Sequence, residues 1–431
     1  MSGLVTDNIF GSSGVVIAAA GGLSWQSVVT AATVTVSAGN GYFINTTSNA
    51  CTITLPSSAD AGDQIILADY ARTWGTNAIT IDSNGLLFQG KTDVYIVDYD
   101  TAGQAINLVY SGSTVGWTPA SDIVSAYEPV APPTQKGIFC YGYEGGYHTL
   151  SNLVNSSGVV ASDVSVAGTG VQELGGASYG GDKGIFGYGE ISTGGNTAKT
   201  NLVSNTGVIS ADVTGVGSTR YQTAATTYGT DKVIFGYGNN GGPTPTATSA
   251  ITNLVSNSGV VALDTTGVGT ARTDIAAVGF GSTGQAMFGY GNTFALGHPK
   301  QNLTNIVANT GVVATDTTGV GTARSGLAAA GYGTDKAIFG FGIAGAKTAI
   351  TNLVSNTGVV ATDTAGVGTA RLLLAATSYG GDKAIFGYGH PAGPGVSLTN
   401  LVSNSGVVAL DTTGVGTGRS KLVACGYSFS A

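Results

Sequence analysis

The sequence predicts an all-β protein: a small sandwich followed by a long array of short sheets repeated around a centre. Three observations predict it. Helix formers are scarce, with Glu at only four positions and Met at two, whereas the 431-residue chain holds 70 glycines among many Thr, Ser, Val and Ala, a balance that favours strands and turns. The run Lys336-Ala337-Ile338-Phe339-Gly340-Phe341-Gly342 has five counterparts, and the shared Phe (139, 186, 235, 288, 339, 386) recurs after 47, 49, 53, 51 and 47 residues. A period of about fifty that tolerates small insertions is the mark of a repeat architecture. Within each repeat, turns such as Asn356-Thr357-Gly358 separate apolar runs and supply the left-handed backbone that hairpins need.

Taken in order, residues 1–36 are small and broken by Gly11, Gly14, Gly21 and Gly22, and read as an attachment arm. Residues 37–120 hold five alternating runs of five to seven residues, at Gly41, Cys51, Asp63, Asn77 and Ala105, bounded by turn formers. They predict a compact antiparallel sandwich or jelly roll serving attachment and oligomerisation. Trp25, Trp74 and Trp117 read as core or subunit-interface residues. Residues 121–135, with Glu128-Pro129 and Pro132-Pro133, are a linker, because proline cannot donate to a sheet ladder.

Residues 136–431 carry the repeats. One unit runs from Arg324 through Ala328-Ala329-Ala330, Lys336 to Gly342, Ile350 to Ser355 and Val359 to Asp363, which predicts four antiparallel strands. Four strands repeated radially make a β-propeller. The small alanines suit inner strands crowded near an axis, and a face of rings set against a neighbour's glycines would let blades interlock. The first unit begins at its second strand, and the chain ends on a lone first strand, Arg419 to Tyr427. The C-terminal strand is therefore expected to close a six-bladed ring. Cys140 stands where the other units have Gly, and Cys425 where they have Ala, Thr or Val. Both fall in the closing blade, within about one residue of opposition, as two packed thiols or a closure disulfide.

The net charge of −8 argues against nucleic acid, since no basic stripe is present to displace counterions from phosphates. No apolar run is long enough to span a bilayer, so membrane insertion is not expected. The N-terminus lacks a signal peptide's charged start, and three cysteines are too few for a secreted disulfide scaffold. Synthesis in a cytoplasm is the expectation.

Two resemblances enter at this point. Gly39-Asn40-Gly41-Tyr42-Phe43-Ile44-Asn45-Thr46-Thr47, Thr54-Leu55-Pro56, Ala61-Gly62-Asp63, Asp69-Tyr70-Ala71, Ile79-Thr80-Ile81, Leu108-Val109-Tyr110 and Gly116-Trp117, with the opening Ser2 to Asn8, resemble a small β domain of tail-fibre and other appendage proteins of marine tailed bacteriophages. That resemblance covers about 115 residues and implies a virion-attached, usually trimeric appendage. The Arg that opens each first strand and the glycines that close each second strand resemble the kelch propellers. The usual paired glycines are here Gly-Tyr-Gly or Gly-Phe-Gly, and the later Trp is missing, so the expectation is a kelch-like propeller.

Chemistry is sparse in this reading. Arg220, Arg272, Arg324, Arg371 and Arg419 recur at one position, with Val171 in the remaining unit, alongside periodic Asp163, Asp212, Asp264, Asp316, Asp363 and Asp411. An anion-binding ring or a sialidase-like cluster is one reading. A structural Arg bonded to carbonyls and Asp is preferred, because catalytic residues are not repeated in every unit. No acid and nucleophile pair stands out in the sequence, no cofactor is expected, and the few histidines give no expected metal site. The loops after the second strands are unequal and carry Tyr147, His148, Lys199, Phe294, His298, Lys300, Lys347 and His390. These are the candidate receptor-binding residues, since a uniform scaffold with one variable face is how binding surfaces are built.

The expected function is thus a non-enzymatic virion appendage, a tail fibre whose propeller adheres to a host-surface glycan or protein. Its N-terminal region would contact other virion proteins and form a homotrimer. The alternatives are a glycan-cleaving propeller and a purely structural head-fibre or decoration protein.

Overall fold

The computed structural model describes residues 8–10, 16–18, 23–92, 97–120, 134–241, 247–293, 295 and 297–430. Most of the expected linker and Phe294 lie outside these residues. The described chain is all-β, with no α-helix, and it divides into two compact units, Met1–Pro132 and Pro133–Ala431.

The first unit is two sheets sharing one core. One sheet orders Trp117–Pro119, Ala105–Tyr110, Gln64–Asp69, Asn40–Ile44 and Ser24–Trp25 side by side; the other orders Thr33–Thr35, Cys51–Thr54, Ile79–Asp82 and Val97–Tyr99. Two strands therefore arise within the stretch expected to be an arm, where Asn8–Phe10 also pairs with Val16–Ala18. The expected antiparallel arrangement is corrected: Asn40–Ile44 runs parallel to Gln64–Asp69, and Cys51–Thr54 parallel to Ile79–Asp82. From Ser24 to Ile79 the chain changes sheet at every strand. Parallel neighbours require a crossover, and here the intervening strand of the opposite sheet provides it. Antiparallel pairing appears where Val97–Tyr99 and Ala105–Tyr110 return. Ile44, Ile65, Leu67 and Leu108 from one sheet meet Ile53, Ile79 and Tyr99 from the other, all fully buried, together with Trp74 and Trp117. Trp25 instead lies 47% exposed, stacked on Phe43 at 4.4 Å.

The second unit contains six antiparallel sheets of like construction. In five of them a first strand (Gly175–Tyr179, Ala224–Tyr228, Ala276–Phe280, Ala328–Tyr332 or Ala375–Tyr379) pairs with a second, and that with a third. The expected fourth strand is mostly irregular. In these sheets it meets the third only at isolated bridges such as Val354↔Val360 and Thr351↔Thr364. In the sheet opened by Lys136–Cys140, the fourth strand is the two-residue Val164–Ser165, and the first is the C-terminal Val423–Tyr427.

Aromatic rings lock adjacent sheets together. A Cβ added at Gly340 would stand 2.7 Å from the Phe386 ring, and one at Gly387 2.6 Å from Phe139. Gly187, Gly236 and Gly289 face Phe235, Phe288 and Phe339 in the same way. Any side chain there would force the ring aside, and overpacking of this kind costs about 1–3 kcal/mol. At the first junction the glycine is replaced by Cys140. There the ring pair Tyr141–Phe186 opens to 6.3 Å, against 5.0–5.2 Å at the other five junctions. Opposite that junction, Gly184 makes room for the Cys425 sulfur and Gly176 for Val423. The pairing sets Ile138 opposite Cys425 and Cys140 opposite Val423. The two cysteines are thus offset by two residues rather than one, and both thiols are free and buried.

Candidate functional site

The periodic arginines are structural. Arg324 is fully buried. Its Nε donates to the Phe341 carbonyl at 3.0 Å, Nη1 to the Thr322 carbonyl at 3.2 Å and Nη2 to Asn352 Oδ1 at 2.7 Å. Its guanidinium lies 4.4 Å from the Tyr290 ring centre of the preceding sheet. Arg220, Arg371 and Arg419 repeat this arrangement; Arg272 keeps its bond to Asn305, while Nε and Nη1 have no hydrogen-bond partner among the described residues. The periodic aspartates complete the motif. Asp363 accepts from Thr322 and Asn352, as Asp163 accepts from Thr417 and Asn152. Burial opposes their ionisation, but these hydrogen bonds outweigh it and hold the carboxyls below their ordinary range. At Arg220, Arg324, Arg371 and Arg419 the guanidinium is engaged on every side and offers an anion nothing, and Arg272 is equally buried.

The candidate loop residues fall into different environments. Lys199 sits in the unit where Val171 replaces Arg, and its Nζ reaches Asp212 at 3.1 Å, so it supplies the charge that the arginine gives elsewhere. Lys347 donates to the Pro391 carbonyl of the next loop. Tyr147 packs edge-on against Tyr143 at 5.4 Å and accepts from Gln172 at 3.3 Å. His148 and His390 each bury a ring nitrogen without a partner among the described residues. His298 is exposed and Lys300 half-buried, in the same loop. The histidines belong to three different sheets, and no group of three metal-ligating side chains occurs among the described residues.

Each loop base is pinned beside the start of a first strand, by the bridges Tyr143↔Ser420, Tyr221↔Asn239, Thr273↔Asn292, Ser325↔Ile343 and Leu372↔His390 and by Gln172 pairing with Glu190. The next residue in each first-strand segment belongs to a ring: Glu173, Gln222, Asp274, Gly326, Leu373 and Lys421. All six have φ between 49° and 61°. Five backbone hydrogen bonds join them in order, with Lys421 N donating to Leu373 O at 2.8 Å, Leu373 N to Gly326 O at 2.8 Å, Gly326 N to Asp274 O at 3.0 Å, Gln222 N to Glu173 O at 2.8 Å and Glu173 N to Lys421 O at 2.9 Å.

These residues and those that follow them, five apolar and Thr223, line a cavity of about 80 Å³. Lys421 Nζ pairs with Glu173 Oε1 at 2.9 Å, and the Glu173 side chain is only 6% exposed. Burial pushes the Glu173 carboxyl up despite that partner. Burial also works against the Lys421 ammonium, but Glu173, Glu190 and Asp274 outweigh it and hold the group above its usual value. Asp274 Oδ2 accepts from Asn292 at 3.0 Å. Enclosure by protein, reinforced by the Glu173 charge, raises Asp274 to about 7.

No family model matches the chain, and no curated protein matches it.

Sequence reasoning found the loops and missed the cavity. It saw no pair of acidic groups, whereas the fold brings Glu173 and Asp274 to one place from positions 101 residues apart. The available signal was the second residue after each Arg, or after Val171 in the unit without one, where near-identical repeats carry six different side chains.

Proposed function

We propose that residues 136–431 form a six-bladed, kelch-like β-propeller closed by the C-terminal strand, and that it is the receptor-binding module of a virion appendage. Closure is supported by Val423–Tyr427, which pairs with Lys136–Cys140 and lies against both Ala375–Tyr379 and Gly175–Tyr179. The hydroxyl-to-Asp bond also joins Thr417 to Asp163, as it joins Thr169 to Asp212 and Thr322 to Asp363. Closing the ring removes the inner sheet edges that would otherwise invite pairing.

The observation that carries the binding reading is the contrast between six equivalent sheets and six unequal loops. Those loops are pinned to the same end of the first strands and touch one another, as in Gly395 N donating to Glu144 Oε2 at 2.9 Å. A single non-uniform face on a rigid frame suits recognition. The phage assignment rests on the N-terminal resemblance, and the partner would be a host-surface glycan or protein. Binding of purified protein to bacterial surface polysaccharide tests it. Shortening the loops at 239–251 and 292–302 should abolish binding, and binding that survives would sink the assignment to this face. No binding to any cell surface would favour a purely structural virion component.

A glycan-cleaving reading draws support from one observation, the two carboxyl groups Glu173 and Asp274 in one cavity. A general acid is most effective with its pKa near the working pH. Release of oligosaccharide by the wild type, lost in Asp274→Asn, would establish cleavage over adhesion.

A further inference from the structure

We propose that the central cavity is a subsite for one uncharged pyranose ring of a surface glycan, held by Asp274, Gln222 and Thr223 on one side and by Leu373, Leu327 and Gly326 on the other. This rests on the receptor-binding reading and gives it a place and a ligand class.

The first argument is backbone strain. A non-glycine residue with φ near +55° is uncommon and unfavourable. Glycine would satisfy the ring without that cost, yet only Gly326 is glycine. The following position is nearly uniform, with Leu174, Ile275, Leu327, Leu374 and Leu422. Individual side chains have thus been placed where packing does not ask for them, a pattern associated with functional sites.

The second argument is their distribution. Around the ring, Lys421, Glu173, Gln222 and Asp274 stand consecutively, followed by Gly326 and Leu373. One arc is polar and the other apolar. A pyranose presents hydroxyls at its edge and C–H groups on its face, and fits such a division. A cation is disfavoured by Lys421 inside the polar arc, and an anion by the two acids.

The third argument is unused hydrogen-bonding capacity. Asp274 is half-buried, and its Oδ2 accepts from Asn292. Thr223 lines the same cavity, is 7% exposed and has a hydroxyl without a partner among the described residues. Buried polar groups are ordinarily bonded; one sugar hydroxyl would serve Thr223, and an adjacent one the half-buried Asp274 carboxyl. A closed cavity of about 150 Å³ accommodates benzene, so this smaller, open one takes the edge of a single ring.

Saturation-transfer NMR on the full chain, with the methyl glycosides of glucose, galactose, mannose and N-acetylglucosamine as probes, tests the proposal. The wild type should give transfer from at least one glycoside. Asp274→Ala should weaken it about tenfold, as expected for losing a buried hydrogen bond, and Leu373→Gly, which relieves the strained backbone, should weaken it without loss of fold. No transfer from any glycoside to the wild type, or equal transfer to wild type and both folded variants, overturns the subsite. Polysaccharide binding measured on the same samples separates the readings. If it persists unchanged in both variants, only the subsite fails, and if the wild type itself does not bind, the receptor reading fails too.

Discussion

A buried arginine is an unusual choice for a repeat, and its energetics explain the accompanying Asn and Asp. Arg324 is compensated by two carbonyls, one amide oxygen and a ring face. Removing it strands those acceptors. Arg324→Met is expected to cost about 3–5 kcal/mol, as for breaking a buried polar network from one side, read from urea unfolding of the second unit. Lysine should not rescue it, because one ammonium cannot replace three directed donors. Titration sets the pH range. Asp274 is raised to about 7, so the folded chain keeps a proton that the unfolded chain releases near its ordinary value of 3.8. Stability should therefore decline as pH rises from about 4 to 7; Asp274→Asn should reduce that slope, and the raised Glu173 carboxyl should keep the remainder. The lowered Asp163, Asp212, Asp264, Asp316, Asp363 and Asp411 act in the opposite sense: their stabilisation is present above about pH 4 and lost as pH falls through their folded values. Urea midpoints across a pH series measure both limbs. The structural role of these Arg and Asp residues was legible in the sequence, because equal spacing in five or six units implies equal environments. Asp274 was not, since its environment is created by residues from other units.

At the scale of elements, the strands were legible because apolar alternation with bounded turns has one physical meaning. Strand direction in the first unit was not, since Cys51–Thr54 alternates identically whether its neighbour is parallel or antiparallel. The fourth segment of each repeat was also misjudged. Val359 and its counterparts continue the apolar pattern, but they stand 62–66% exposed on an outer edge held by isolated bridges. An irregular ladder there is a poor template for another strand. Cys140 and Cys425 test the closing sheet. Burial pushes both thiols well above their ordinary value, and Cys51 is raised for the same reason. All three should resist a thiol reagent in the native protein and react together on unfolding. Deleting the segment from Arg419 onward should expose Cys140, whose strand would then lose its Val423–Tyr427 partner. One reactive thiol rather than three on unfolding without reductant would instead show that Cys140 and Cys425 are joined and that their strands shift register.

At the scale of the whole chain, the first unit carries a surface that its own core does not explain. Trp25 is 47% and Tyr70 56% exposed, with Phe43 between them at 4.4 and 6.2 Å. Gly41 lies beneath the Trp25 ring, where a Cβ would approach to 2.8 Å, so the indole is held flat and presented outward. Flat exposed aromatics are common where subunits meet, and the homotrimer that the N-terminal resemblance implies would give them a partner. Native mass measurement should find three copies of the 42.6 kDa chain, and Trp25→Ser should shift the population toward one. If a weak site in each second unit is tethered to two others, avidity can exceed the single-site affinity by about 10²–10⁴. The Trp25→Ser protein should then lose cell-surface binding by that factor while its affinity for a free glycoside stays unchanged. A wild type that is monomeric, or a monomeric variant that still binds cells as tightly, would remove multivalency from the mechanism and require each cavity and loop face to bind strongly alone.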